Sequence, residues 1–217
     1  DWIPIGTSSI PFKGGLDGEG YKISNLTITS TTDNVGLFGY STAALKNITL
    51  ENVNISGKNN IGSLVGHSEG IVENVKVLSG TISGTNNLGG ILGQQTNYTK
   101  NCYSNVIVQG TDQIGGLIGE AKGSVENCYS VGKVVGGHAI GGLIGWQSGS
   151  SNVISKCYTN VEVISTGLDS GGIIGDGEGI IRDWYTVGII NGSSNVGGIV
   201  GDVSDGGAAQ IINCYAM

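Results

Sequence analysis

The chain has 217 residues, a net charge of −7, and only 12% charged residues beside 38% hydrophobic ones. Its ten basic residues are scattered, with Arg182 the single arginine, so no basic stripe exists to follow a nucleic-acid backbone. The composition is too apolar for a disordered chain, and no apolar run approaches the roughly 18 residues of a membrane helix, so no membrane insertion is expected.

Residues 1–13 read as a lead-in distinct from the rest of the chain. Trp2, Ile3, Ile5, Ile10 and Phe12, with Pro4 and Pro11, are expected to lay an apolar cap over an open end. The chain shows neither an initiator Met nor a signal peptide, which reads as a mature protein or an excised fragment.

From residue 14 the chain repeats itself. The phrase IGGLIG stands at 114–119 and again at 140–145, and near-copies run throughout. Their closing glycines are Gly39, Gly66, Gly93, Gly119, Gly145, Gly175 and Gly201, at intervals of 27, 27, 26, 26, 30 and 26. A second anchor follows each at nearly constant phase: Asn47-Ile48, Asn74-Val75, Asn101-Cys102, Asn127-Cys128, Lys156-Cys157, Asp183-Trp184 and Asn213-Cys214. Helix is excluded, because each interior glycine costs about 1 kcal/mol and every unit carries several. Stretches such as Val161-Glu162-Val163 alternate apolar and polar with the period of a strand. Two or three short strands per unit, joined by Gly/Asn/Ser turns, describe one coil of a parallel β-solenoid. Seven to eight coils of roughly 26 residues, stacked about 4.8 Å apart, predict a rod on the order of 34 Å long over residues 14–217. Asn34, Asn60, Asn87, Gln113, Asp169 and Asn195, with Ala139 as the exception, form one turn column; the second anchors form another. Such amides suit left-handed turns and bond to the coils above and below.

These residues also carry a resemblance. VGLFG, GGLIGE and VGGIVG, each followed by text like ENCYSVG, resemble the GLUG motif of bacterial surface proteins. That motif occurs in adhesin-like proteins and beside the protease domain of IgA-cleaving peptidases. The opening WIPIG…PFKGGLDGEGYKISNLTI is similar to the usual lead-in of such arrays. The resemblance implies a right-handed parallel β-helix on a bacterial cell surface or in secretion, and it transfers no catalytic residue.

Cys102, Cys128, Cys157 and Cys214 share one place in the repeat with Ile48, Val75 and Trp184, which marks that column as inward. In-register stacking keeps Cβ atoms near 4.8 Å, wider than a disulfide prefers, so free thiols are expected. The cysteines lack CxxC pairs and only two histidines exist, so neither metal nor cofactor is expected. Beside the cysteines runs an outward column of Tyr103, Tyr129, Tyr158, Tyr185 and Tyr215, read as stiffening the sheet, with a sticky face for peptide or sugar as the alternative. The chain stops at Met217 in mid-coil, which reads as further coils or flanking domains of a longer parent chain.

Function in a solenoid is expected where the repeat stops repeating. The residue after each closing glycine is the most variable: Tyr40, His67, Gln94, Glu120, Trp146, Asp176 and Asp202. Gln94, Glu120, Trp146, Asp176 and Asp202 make a candidate ligand-binding strip, an indole flanked by carboxylates and an amide that suits a glycan. The competing reading of this column is an unconstrained solvent face. Asp176 and Asp202, on adjacent coils, would meet the closer carboxylate spacing of a glycosidase, so a polysaccharide hydrolase or lyase stands as the alternative. Threonine columns are too irregular for an ice-binding solenoid. The leading expectation is a non-catalytic adhesive or spacer rod whose partner is a glycan or a host surface protein.

Overall fold

The computed structural model describes residues 2–203 and 209–217 and is an all-β solenoid of about seven turns. Each coil crosses three parallel faces. One face stacks Asn59–Gly62, Asn86–Gly89, Asp112–Gly115, His138–Gly141, Ser170–Gly171 and Val196–Gly197. The next stacks Phe38–Ser41, Val65–Ser68, Leu92–Gln95, Ile118–Ala121, Ile144–Gln147, Ile174–Gly177 and Val200–Asp202. The third and broadest carries the remaining strands, which are short in the early coils and fuse into longer ones such as Tyr103–Gln109 and Tyr158–Ser165. Among the described residues the strand pairings are parallel and in register, so that Leu92, for example, lies between Val65 and Ile118.

Both turn columns adopt left-handed backbone throughout. φ lies between 49° and 60° at Asn34, Asn60, Asn87, Gln113, Ala139, Asp169 and Asn195, and between 51° and 63° at the second anchors from Asn25 to Asn213. Asparagine tolerates this region better than other residues with a Cβ. Its side chain then serves a second purpose. Asn74 donates to Asn47 at 2.9 Å, Asn101 to Asn74 at 3.0 Å and Asn127 to Asn101 at 2.7 Å, an amide ladder along the rod. A parallel ladder joins Asn87 to Asn60 and Asn60 to Asn34.

The glycines answer to packing. A Cβ on Gly66 would stand 2.5 Å from the backbone of Asn34 and Val35, because each closing glycine is pressed against the turn of the coil before. The second glycine of the GG pair serves the interior. A Cβ on Gly116 would collide with the Ser130 hydroxyl and the Gly142 carbonyl oxygen. Ser104, Ser130, Thr159 and Thr186 form one column inside the broad face, opposite Gly90, Gly116, Gly142 and Gly172. One coil earlier both places hold a larger residue: Ser63 stands in the glycine place, and Val77 in the serine place. Small is matched to larger across the core.

The rest of the interior is stacked aliphatics, and the expected inward column is buried from Ile48 and Val75 through Cys102, Cys128, Cys157 and Trp184. The Trp184 indole N–H is satisfied by the Ile154 carbonyl at 2.9 Å. All four cysteines are free thiols, and burial pushes the Cys102 and Cys128 thiols far up from their ordinary pKa.

The lead-in differs in detail from an apolar lid. Residues 2–12 pair by backbone with the first full coil: Ile5 accepts from Gly39 N at 2.9 Å and Phe12 N donates to Tyr40 O at 2.9 Å. Phe12 packs on the core, its ring 4.8 Å from that of Phe38, whereas Ile3 is 84% exposed and Ile10 is also exposed. The strand edge is closed chiefly by hydrogen bonds. Asp1, the first residue of that segment, lies outside the described residues.

Candidate functional site

The variable column runs in register along the second face: Tyr40 beside His67, then Gln94, Glu120, Trp146, Asp176 and Asp202. The structure corrects the picture of a solvent-exposed, unconstrained strip. Glu120 is 5% exposed and Asp176 8%, and the other members are half-buried.

The upper half of the column is bonded into the rod. Tyr40 stacks on His67 at 4.3 Å with 7° between the rings, and its hydroxyl donates to Glu69. Burial, with Glu69 beside it, pushes the Tyr40 hydroxyl up to about 12. Burial likewise lowers the His67 pKa, which keeps that imidazole neutral, and Glu69 opposes the shift only in part. Glu120 receives Asn87 Nδ2 at 3.1 Å, Gln94 Nε2 at 2.5 Å and Lys122 Nζ at 2.6 Å. A buried carboxylate is costly unless bonded in this way. Gln94 and Glu120 are thus bonded to one another and to the rod, and neither lines the cleft described next.

The lower half is different. Trp146 and Asp176 line a cleft of about 100 Å³ together with Gln147, Ser148, Gly177, Glu178 and Val203. Its origin is visible in the chain. From Gly145 to the next anchor, Lys156, is 11 residues, where Gly119 to Asn127 and Gly175 to Asp183 each take 8. The additional residues make a corner at 148–152 that turns at Ser150 and Ser151, both exposed. Asn152 ties this corner through Nδ2 to Ser148 O at 2.7 Å and Lys122 O at 3.0 Å, and Glu178 Oε1 accepts from Gly149 N at 2.8 Å. Ser148 of that corner and Trp146 are among the cleft's walls. Asp202 stays in register with Asp176 one coil further on, and Asn195 Nδ2 approaches its Oδ2 at 3.4 Å.

Of the residues that the sequence singles out, Trp146 and Asp176 line this cleft, beside Glu178, Gln147, Ser148 and Val203, which it does not single out. The signal available was the single interval of 30 between Gly145 and Gly175.

Close to the cleft, His138 bridges three coils. Its Nδ1 lies 2.9 Å from Asp112 Oδ1 and its Nε2 2.9 Å from Asp169 Oδ2, and Asn195 holds the other Asp169 oxygen at 2.7 Å. Partial burial alone would lower the His138 pKa. The hydrogen bond and charge of Asp112, with Asp169 and Asp176 behind it, outweigh burial and leave the pKa raised.

The tyrosine column is outward, as its place in the repeat predicts, and self-stacked. Ring centroids are 6.3 Å apart for Tyr129–Tyr158, 5.0 Å for Tyr158–Tyr185 and 4.7 Å for Tyr185–Tyr215. These rings meet one another, which suits a stiffening role.

Among the described residues no group of three or more His, Cys, Asp or Glu side chains is placed to hold a metal ion. Among them, too, no helix is long and apolar enough to cross a membrane.

A stretch of 51 residues, 22% of this chain, is 51% identical to halomucin of Haloquadratum walsbyi (strain DSM 16790 / HBSQ001). The match spans 1% of halomucin's length, so this chain corresponds to a small part of that relative. No solved structure matches the chain. The family model for the GLUG motif matches residues 110–135, the coil that contains IGGLIG and ENCYSVG. Residues 110–135 are thus a GLUG motif, and the coil they form is the unit repeated along the solenoid.

Proposed function

We propose that this chain is a non-catalytic rod of a cell-surface or secreted protein, which holds a glycan or a host surface protein along its side. The GLUG repeat and the β-solenoid fit a surface repeat module, and the partial likeness to halomucin is in keeping with that setting. The observation that carries lateral binding is the cleft at Trp146, placed where the coil departs from the repeat. Architecture explains the remaining columns: amides in the turns, glycines at close approaches, and aliphatics and thiols inside. The cleft presents an indole beside carboxylates, an arrangement that receives the apolar and hydroxyl-bearing faces of a ligand.

Screening the protein against a glycan and host-protein array, with Trp146→Ala as the control, tests this reading. Binding that depends on Trp146 is expected, without turnover of the ligand. Binding indifferent to the substitution would move the site off the cleft. A second reading rests on the in-register pair Asp176 and Asp202: glycan cleavage that disappears in Asp176→Asn or Asp202→Asn would make the rod a polysaccharide-degrading enzyme.

A further inference from the structure

The chemistry of the cleft narrows the ligand, and this narrowing rests on the proposal that the rod binds there. The cleft's volume of about 100 Å³ is well below the roughly 300–1,000 Å³ of sites that engulf a whole small molecule. It therefore receives one group of a longer ligand. The walls offer acceptors and an aromatic face: the carboxylates of Asp176 and Glu178, the hydroxyl of Ser148, and the indole of Trp146. Among the described residues no lysine, arginine or histidine lines it. Of the basic groups on neighbouring coils, Lys122 is paired with Glu120 and His138 with Asp112 and Asp169, and Arg182 lies on the broad face in a separate cleft. Gln147, fully buried in the inner wall, turns its Nε2 to Ser148 O at 2.8 Å, while its Oε1 acceptor has no hydrogen-bond partner among the described residues.

Such a setting discriminates by charge. An anion would meet two carboxylates and no cation. A neutral hydroxyl would gain hydrogen bonds little better than those it has in water. A cation gains attraction to the indole face, and carboxylates beside it, in a partly desolvated niche. We infer that the cleft is an ammonium site, which anchors the rod on the positively charged amino group of an amino sugar. Glu178 holds the charge, and Trp146 supplies the face.

The test uses the intact chain and two glucosamine oligomers of equal length, one with free amines and one fully N-acetylated. A lysine-rich peptide serves as a third ligand. Calorimetric titrations are run at low and high salt, below the pKa of the amine. The free-amine oligomer is expected to bind, with N-acetylation weakening it by about tenfold or more, the scale of one cation–π contact. Salt should weaken it as well. Glu178→Gln keeps an acceptor for Gly149 N, so it should leave the thermal midpoint unchanged yet weaken the amine ligand several-fold. Lysine-peptide binding that needs Trp146 and Glu178, with neither sugar bound, would keep the ammonium site and overturn the glycan. Equal binding of the N-acetylated oligomer, dependent on Trp146, would overturn the ammonium site and keep the glycan. Failure of all three ligands would overturn both.

Discussion

At the scale of single residues, the left-handed turn positions govern the sequence. An L-residue with a Cβ pays about 1–2 kcal/mol in this backbone region, and asparagine offsets that cost through local and cross-coil hydrogen bonds. Asn101, at φ 55°, both donates to Asn74 and accepts from Asn127. Asn101→Val removes both bonds and places a branched side chain in the strained region, so a loss of about 2–3 kcal/mol is expected in urea unfolding. Ala139, at φ 52°, holds the same kind of turn with no side-chain bond to offer. Ala139→Gly should therefore stabilise the chain by about 0.5–1 kcal/mol, the reverse of the usual effect of glycine. If Asn101→Val unfolded with the parent, or Ala139→Gly unfolded earlier, the turn columns would have been misassigned.

At the scale of strands and their stacking, charge follows the same column logic. Lys46, Glu73, Lys100 and Glu126 succeed one another in register on the broad face, alternating in sign, and Glu73 lies 3.4 Å from Lys46 and 3.0 Å from Lys100. Parallel in-register stacking would place like charges together, and alternation avoids it. His138 does the same work between two acids. Its pKa is raised in the folded chain, so its contribution to stability is fully present below the unfolded pKa and is lost as pH rises through the folded value. An NMR titration should find His138 titrating above an unperturbed histidine, and His138→Gln should flatten that part of the stability–pH curve. A His138 pKa below the ordinary value would contradict the bridge between Asp112 and Asp169. Much of this was legible beforehand, because two anchors at constant phase define the coil whatever residue fills them: Ala139 and Lys156 also adopt the left-handed turn. The site was legible only in part. Glu120 is buried because Asn87, Gln94 and Lys122, on three different strands or turns, converge on it, and no single coil announces that convergence. The His138 bridge did have a signal, since Asp112 stands one 26-residue period before it.

At the scale of the molecule, repetition separates shape from function. Each interior column is complete only when the coils above and below supply its neighbours, so the rod is stabilised coil against coil, as expected of a quasi-one-dimensional protein. Any binding specificity then has to come from positions that the stacking leaves variable, and from corners where a coil gains residues. The corner at 148–152 is such a place, and the indole and acids of the cleft beside it meet only because adjacent coils keep register. Spin labels at two members of one outward column test that register most directly. Thr27, Asn54, Thr81, Ile107, Lys133 and Glu162 succeed one another by direct pairing. Labels at Thr27 and Glu162 are therefore five steps apart, which at about 4.8 Å per step predicts a separation of about 24 Å. Pulsed dipolar spectroscopy should return one narrow distance distribution near that value. A broad distribution, or one centred beyond about 35 Å, would mean that the coils do not stack in register.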